Sequence, residues 1–249
     1  MTDFLLGLVG FGIIFGSAIL LGGLVVLRRK SVPAFRKIEA FSRLRHAVGR
    51  VVEDGTRLHV SLGRGALVTP QSASALAGLT LLGSLAELTS AGDQPPIATS
   101  GDAALAILSQ DTLQTGSLAS AQGAYDPTAG RLTGLTPFSY VAGAIPAILD
   151  ENISTNVIIG NFGAEAALLV DAAERANTFT MASSDNLTAQ AVLYASAQEP
   201  LIGEDLFAAG AYFDAGKLHA ASLRVQDILR WLIIIVILVG ALLKLVGIL

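Results

Sequence analysis

Hydrophobic and polar positions keep a different rhythm in each region of this chain. Residues 4–27 carry no charged side chain, and as a helix they are long enough to cross a hydrocarbon core of about 30 Å. Past Pro33, apolar residues recur every three or four positions at Phe35, Ile38, Phe41, Leu44, Val48 and Val51. The other face of that helix holds Arg36, Lys37, Arg43, Arg45 and Arg50. From residue 56 the period changes. Residues 57–62 alternate as a strand and stop at Gly63-Arg64-Gly65. Further strands are predicted at 97–100, 131–136, 153–159, 178–182 and 200–202, with helices at 72–88, 103–113, 138–149, 164–176, 186–195 and 206–212. Asp102 is placed to cap the helix at 103, Pro137 to open the one at 138, and Ser184 or Asp185 to cap the one at 186. Residues 114–130, with Tyr125-Asp126-Pro127, read as an exposed loop. A second apolar run, 232–249, is interrupted by Lys244.

Strands that alternate with helices imply βαβ crossovers. The predicted fold is α/β: a Rossmann-like, mostly parallel sheet of five or six strands with helices on both faces. An N-terminal and a C-terminal transmembrane helix flank it. Residues 1–30 form the anchor, 31–55 a basic amphipathic juxtamembrane helix, 56–223 the α/β domain and 224–249 the second membrane helix. The N-terminal run reads as a retained anchor rather than a cleaved signal. Its first residues include Asp3 and no basic side chain, and Arg28-Arg29-Lys30 follows it directly. Positive charge on that side predicts a plasma (inner) membrane protein with a cytoplasmic α/β domain and both termini outside. Gly12 and Gly16, then Ala18 and Gly22, are spaced as small-xxx-small pairs. Helix pairing and the ordinary glycine content of membrane helices explain them equally.

Composition sharpens this picture. Hydrophobic residues make up 52% of the chain and charged ones 14%, and the mean hydropathy of +0.62 is high for a soluble protein. Residues 28–50 hold eight Lys/Arg against Glu39, a balance of +7, whereas 51–223 hold five basic residues against seventeen acids, a balance of −12. An acidic body on a basic collar speaks against nucleic acid as a partner. The collar has two open roles: lying on the anionic headgroups of membrane lipids, or packing its stripe on the body or a neighbouring subunit. Cysteine is absent, which removes disulfides, thiolate metal sites and a cysteine nucleophile.

The stretch Asn156-Val-Ile-Ile-Gly-Asn-Phe-Gly-Ala-Glu165 reads as strand, glycine turn and helix, the unit beside which α/β sheets bind ligands. Right-handed crossovers bring all strand-to-helix loops to one edge of the sheet. The candidate ligand residues there are Gly63, Arg64, Ser100, Gly160, Asn161, Phe162, Gly163, Glu165, Ser183 and Glu204. Arg64 is the best-placed residue to neutralise a ligand's charge, although a plain surface arginine is the favoured reading. Glu165 in the first helical turn suits the helix dipole and repels a phosphate. Glu165, Glu204 and Asp205 could pair as acid and base or hold Mg²⁺ or Ca²⁺, but they are far apart in sequence and acids at predicted helix starts need no such function. His59 falls within a strand and reads as a packed histidine. No catalytic residue, metal site or cofactor is indicated.

Leu58-His-Val-Ser-Leu-Gly63, Gly160-Asn-Phe-Gly-Ala-Glu-Ala166, Leu201-Ile-Gly-Glu-Asp-Leu-Phe-Ala-Ala-Gly-Ala-Tyr212 and Ser222-Leu-Arg-Val-Gln-Asp-Ile-Leu-Arg-Trp231 run from the collar to the last helix. Over that length the chain resembles an uncharacterised bacterial family of membrane-anchored α/β domains of unknown function. The resemblance implies no activity. The expectation is a membrane-anchored scaffold that self-associates through its anchors and body, forming a homo-oligomer or joining other membrane subunits. The alternatives are a ligand-binding sensor or regulatory subunit of a membrane complex, using the strand-end cleft, and an enzyme acting on nucleotide-like or sugar-like substrates.

Overall fold

The structure is a computed structural model of the chain and describes residues 2–27, 35–69, 72–118, 126–213 and 216–245. The basic run Arg28-Arg29-Lys30, Pro33 and Tyr125 lie outside the described residues. The chain divides into two compact units, Met1–Phe35 with Gly216–Leu249, and Arg36–Ala215.

The second unit is the α/β body. Its strands are β1 (Arg57–Gly63), β2 (Ile97–Ser100), β3 (Gly130–Leu132), β4 (Ile153–Asn161), β5 (Phe179–Ser184) and β6 (Glu199–Leu201). They form a six-stranded sheet in the order β3-β2-β1-β4-β5-β6, and every pair is parallel. β1 and β4 lie at the centre, and all of β1 after its first residue is buried. Burial on both faces is why these strands read as nearly continuous apolar runs.

Its helices are α2 (Glu39–Glu53), α3 (Ser72–Thr89), α4 (Ala103–Leu118), α5 (Pro137–Asp150), α6 (Ala166–Arg175), α7 (Leu187–Ser196) and α8 (Asp205–Tyr212). The crossovers from β1 to β3 run one way along the sheet and those from β4 to β6 the other. Right-handed connections therefore set α3 and α4 on one face and α6 and α7 on the opposite face. Tyr140, Ala144 and Ile148 of α5 join Leu169 and Ala173 of α6 and Leu193 of α7 in one core over Ile158 and Ala182. On the α3 face, the topology leaves β5 and β6 without a crossover helix.

α2 fills that place, packing against α3, β4, β5 and β6. Its buried side is Ala40, Phe41, Leu44, Ala47, Val48 and Val51, so the amphipathic stripe is core of the body. Two of its cations, and Arg36 just before it, hold acceptors on the last elements. Arg36 reaches both carboxylate oxygens of Asp205 at 2.9 and 3.0 Å, Arg43 pairs with Glu199, and Arg45 donates to the Tyr212 carbonyl at 2.8 Å.

Several boundaries differ from those predicted. β3 is three residues long because Gly134 is pressed against the Ser139 backbone, and Thr136 turns to cap α5 in a capping box with Ser139. α4 continues through residues expected as loop, since Gly116 allows a close approach to Ala86 of α3. Asp102 caps α4 by accepting from Leu105 N–H at 3.0 Å. α7 is capped by Asn186, not by Ser184 or Asp185. α6 opens at Ala166, with Glu165 at its N-cap position.

The first unit holds α1 (Thr2–Leu27) and α9 (Lys217–Leu245), which pack against each other. α9 starts earlier than predicted because its amphipathic first turns continue without a break into the apolar run. Two helices among the described residues are long and apolar enough to cross a membrane, α3 and the 218–245 part of α9. More than half of α3 lies buried, around Leu79, Leu82 and Leu85, so its apolar character serves the body's core. The most apolar window of the α9 stretch has no buried residue. α1 also holds an apolar stretch over Gly10–Val25 among the described residues. A side chain at Gly12 or Gly16 would meet nothing, so the GxxxG pair does not make the contact with α9.

Candidate functional site

The strand order reverses between β1 and β4, so the loops leaving these neighbours turn to opposite faces and part between them. The backbone there is interlocked. β4 carries one extra residue against β1, the register passing from Ser61 opposite Ile158 to Gly63 opposite Asn161, a bulge that lets the strand end bend. Gly160 has φ +148° and Gly63 φ +70°. A Cβ on Gly160 would overlap the Leu62 carbonyl, and one on Gly63 the Asn161 carbonyl. Only glycine fits both positions.

The groups that could receive an anion here bind one another. Arg64 N–H donates to the Asn161 carbonyl at 3.0 Å, and Gly101 N–H to that of Gly63 at 2.8 Å. The Arg64 side chain crosses Gly101, where a Cβ would overlap it, and its Nη2 lies 3.5 Å from Glu165 Oε1. That carboxylate also accepts from Gly163 N–H at 2.9 Å in the turn before α6. The Glu165 side chain is 7% exposed and that of Arg64 25%. Arg64 Nε is buried with no hydrogen-bond partner among the described residues. Asn161 donates to Asp185 at 2.7 Å, and the Ser74 hydroxyl donates to the other oxygen of that carboxylate. Phe162 is buried and its N–H donates to Ser184 Oγ at 3.1 Å.

Seven of the ten sequence candidates thus meet at the β1/β4 junction: Gly63, Arg64, Gly160, Asn161, Phe162, Gly163 and Glu165. The others do not join them. The Ser100 hydroxyl donates to the Asp102 carbonyl at the end of β2, and that of Ser183 donates to the Leu201 carbonyl of β6. Glu204 is exposed beyond β6, two strands from the β4 end that leads to Glu165, or about 10 Å at sheet spacing.

Beneath the junction lies a buried polar network that the sequence reading passed over. His59 Nδ1 donates to Asn156 Oδ1 at 2.7 Å, because that oxygen can only accept. Nε2 then accepts from the Thr99 hydroxyl at 2.9 Å. The Tyr140 hydroxyl joins Thr99 at 3.2 Å and Ser61 at 2.5 Å, and it receives Gly63 N–H at 3.4 Å. The chain of bonds runs from the middle of the sheet to the glycine turn. Burial lowers the pKa of His59 to about 4, against the opposing pull of Asn156. Burial likewise raises the Tyr140 phenol. Both are neutral near pH 7 and act by positioning the turn. The signal for this network was present in the sequence as polar residues at alternate positions of fully buried parallel strands (His59 and Ser61).

At the opposite end of the strands, Glu151 bridges Arg57 and Arg131. Burial works to raise its carboxyl, and the two arginines outweigh it, holding the group below its usual range. Among the described residues no group of three or more His, Cys, Asp or Glu could hold a metal ion.

No curated protein matches the chain, and no solved structure does. A family model described as a domain of unknown function covers residues 6–249, and on that match the protein belongs to the DUF6754 family.

Proposed function

We propose that the protein is a membrane-anchored scaffold: an α/β body held at the bilayer by α1 and α9 and assembled side by side with further copies. The observation that carries this reading is the apolar stretch of α9, whose most apolar window has no buried residue and whose Ile228 and Trp231 to Val239 are exposed. A surface of that size needs a lipid environment. Arg28-Arg29-Lys30 after α1 favours a cytoplasmic body, with both termini on the outer side of a bacterial inner membrane. The exposed Gly12/Gly16 stripe gives a further helix a close approach. The internal pairing at the β1/β4 junction favours a structural role for the body over catalysis. Particle mass in mild detergent tests the self-association. Several copies per particle are expected, and a monomer at micromolar concentration overturns it.

One observation favours a sensor as the second reading. The Arg64–Glu165 contact is long at 3.5 Å, and Arg64 Nε lacks a partner among the described residues, so a ligand anion could displace the carboxylate. Arg64→Ala and Phe162→Ala compared in a metabolite thermal-shift screen test it; no ligand-dependent difference from wild type removes it.

A further inference from the structure

We infer that a groove at the start of α2 binds the phosphate of one anionic phospholipid, a proposal that rests on the membrane-anchored reading above. The groove holds about 210 Å³ and is lined by Lys37, Ile38, Phe41, Ser42, Arg45 and Tyr212. Two of these six are cations and none is an acid, although the body around them is strongly acidic. The neighbouring cations of α2 are engaged elsewhere: Arg36 is held by Asp205 and Arg43 by Glu199 and Glu39. Lys37 makes no hydrogen bond or ion pair with the described residues, nor does the Ser42 hydroxyl.

The wall of the groove is held in place by Arg45, whose guanidinium donates to the Tyr212 carbonyl and lies 5.2 Å from the centre of the Phe213 ring. Its floor is apolar. Phe41 packs on Tyr212 with ring centres 4.8 Å apart and meets the edge of Phe213, and Ile38 lies one turn before Ser42. Ammonium, guanidinium and hydroxyl donors over an apolar floor match a phosphate carried on a hydrocarbon body. A free anion would leave the floor unused, and a zwitterionic headgroup would bring its own cation beside Lys37.

Chain connectivity favours a lipid as the source. Lys37 follows α1, which ends at Leu27, and the intervening chain can reach at most about 35 Å. Tyr212 precedes α9, which begins at Lys217. Lysines and arginines beside a membrane anchor each contribute about 1 kcal/mol toward anionic lipid, about fivefold in affinity.

The test is native mass spectrometry of the full chain in nonionic detergent, titrated with phosphatidylglycerol, phosphatidylcholine or inorganic phosphate. One phosphatidylglycerol per chain is expected, with no comparable phosphatidylcholine adduct and only weak competition by inorganic phosphate. Lys37→Ala should weaken that adduct about fivefold, and adding Arg45→Ala should weaken it further. Arg50→Ala, an exposed α2 cation outside the groove, should leave it unchanged. Lys37 makes no bond with the described residues, so its variant reports on the site and not on folding. Equal losses in Lys37→Ala and Arg50→Ala would replace the site with diffuse attraction and overturn the proposal. So would equal binding of the two lipids, or inorganic phosphate binding as tightly as phosphatidylglycerol. Loss of the chain from the membrane fraction is a separate result, and it would sink the anchored reading instead.

Discussion

Two places on the α/β body bring arginine near groups that could receive an anion, and they are built in opposite ways. At the β1/β4 junction, Arg64, Gly163 N–H and the turn backbone are bound to Glu165 and to one another. At the start of α2, the Lys37 ammonium and the Ser42 hydroxyl make no bond with the described residues, beside an Arg45 anchored on the Tyr212 carbonyl. The junction sits where the topology of a doubly wound sheet makes a ligand most expected. Its cation is used to seal the fold. The groove sits on a helix that the topology does not require, and its Lys37 makes no bond with the described residues. A site's place in the fold is thus a weaker guide than whether its donors are already engaged.

If the junction is structural, damage there should be severe. Gly160→Ala places a Cβ against the Leu62 carbonyl at φ +148°. It should destabilise the body by about 3 kcal/mol or more, lowering the melting temperature by about 10 °C. Thermal unfolding followed by circular dichroism checks this. A wild-type melting temperature would mean that the junction can relax and is not interlocked.

The network under the junction gives the next effect. Unfolded His59 takes up a proton below about pH 6.5, whereas the buried ring does so only near pH 4. The unfolded state binds more protons across that window, so stability falls as pH drops from 6.5 to 4 and is unaffected by this group above it. The whole step is worth about 3 kcal/mol. Urea unfolding at a series of pH values should show the slope, and His59→Gln should flatten it. Glu151, held low by its arginines, adds its own loss at still lower pH, where the carboxylate protonates.

The smallest effect sharpens the contrast most directly. Arg64→Ala should cost about 1 kcal/mol, because it leaves the mostly buried Glu165 carboxylate without its cation. Lys37→Ala should stay within about 0.5 kcal/mol. Chemical denaturation of both variants reads the difference, and the reverse ranking would break the comparison.

Much of this architecture is written in the hydrophobic pattern. β1, β2, β4 and β5 lie where short strand-like runs end in glycine, serine or asparagine, and the candidate residues after β1 and β4 do converge. The misses have local causes. The alanine-rich α4 carries on through Thr115 and Gly116 because α3 accepts a close neighbour there, a packing fact that propensity does not contain. Glu204 is separated from Glu165 by strand order, which only the assembled sheet reveals. The stripe of α2 was legible as amphipathic, and both a membrane surface and a protein core satisfy that pattern. The surface that β5 and β6 present to α2 decided between them.

The central claim, that apolar helices hold this body at a membrane, is tested most directly by alkaline carbonate extraction of membranes from cells producing the full chain. The account predicts that the protein stays with the membrane pellet, as integral helices do. Release of the full chain into the supernatant would contradict it.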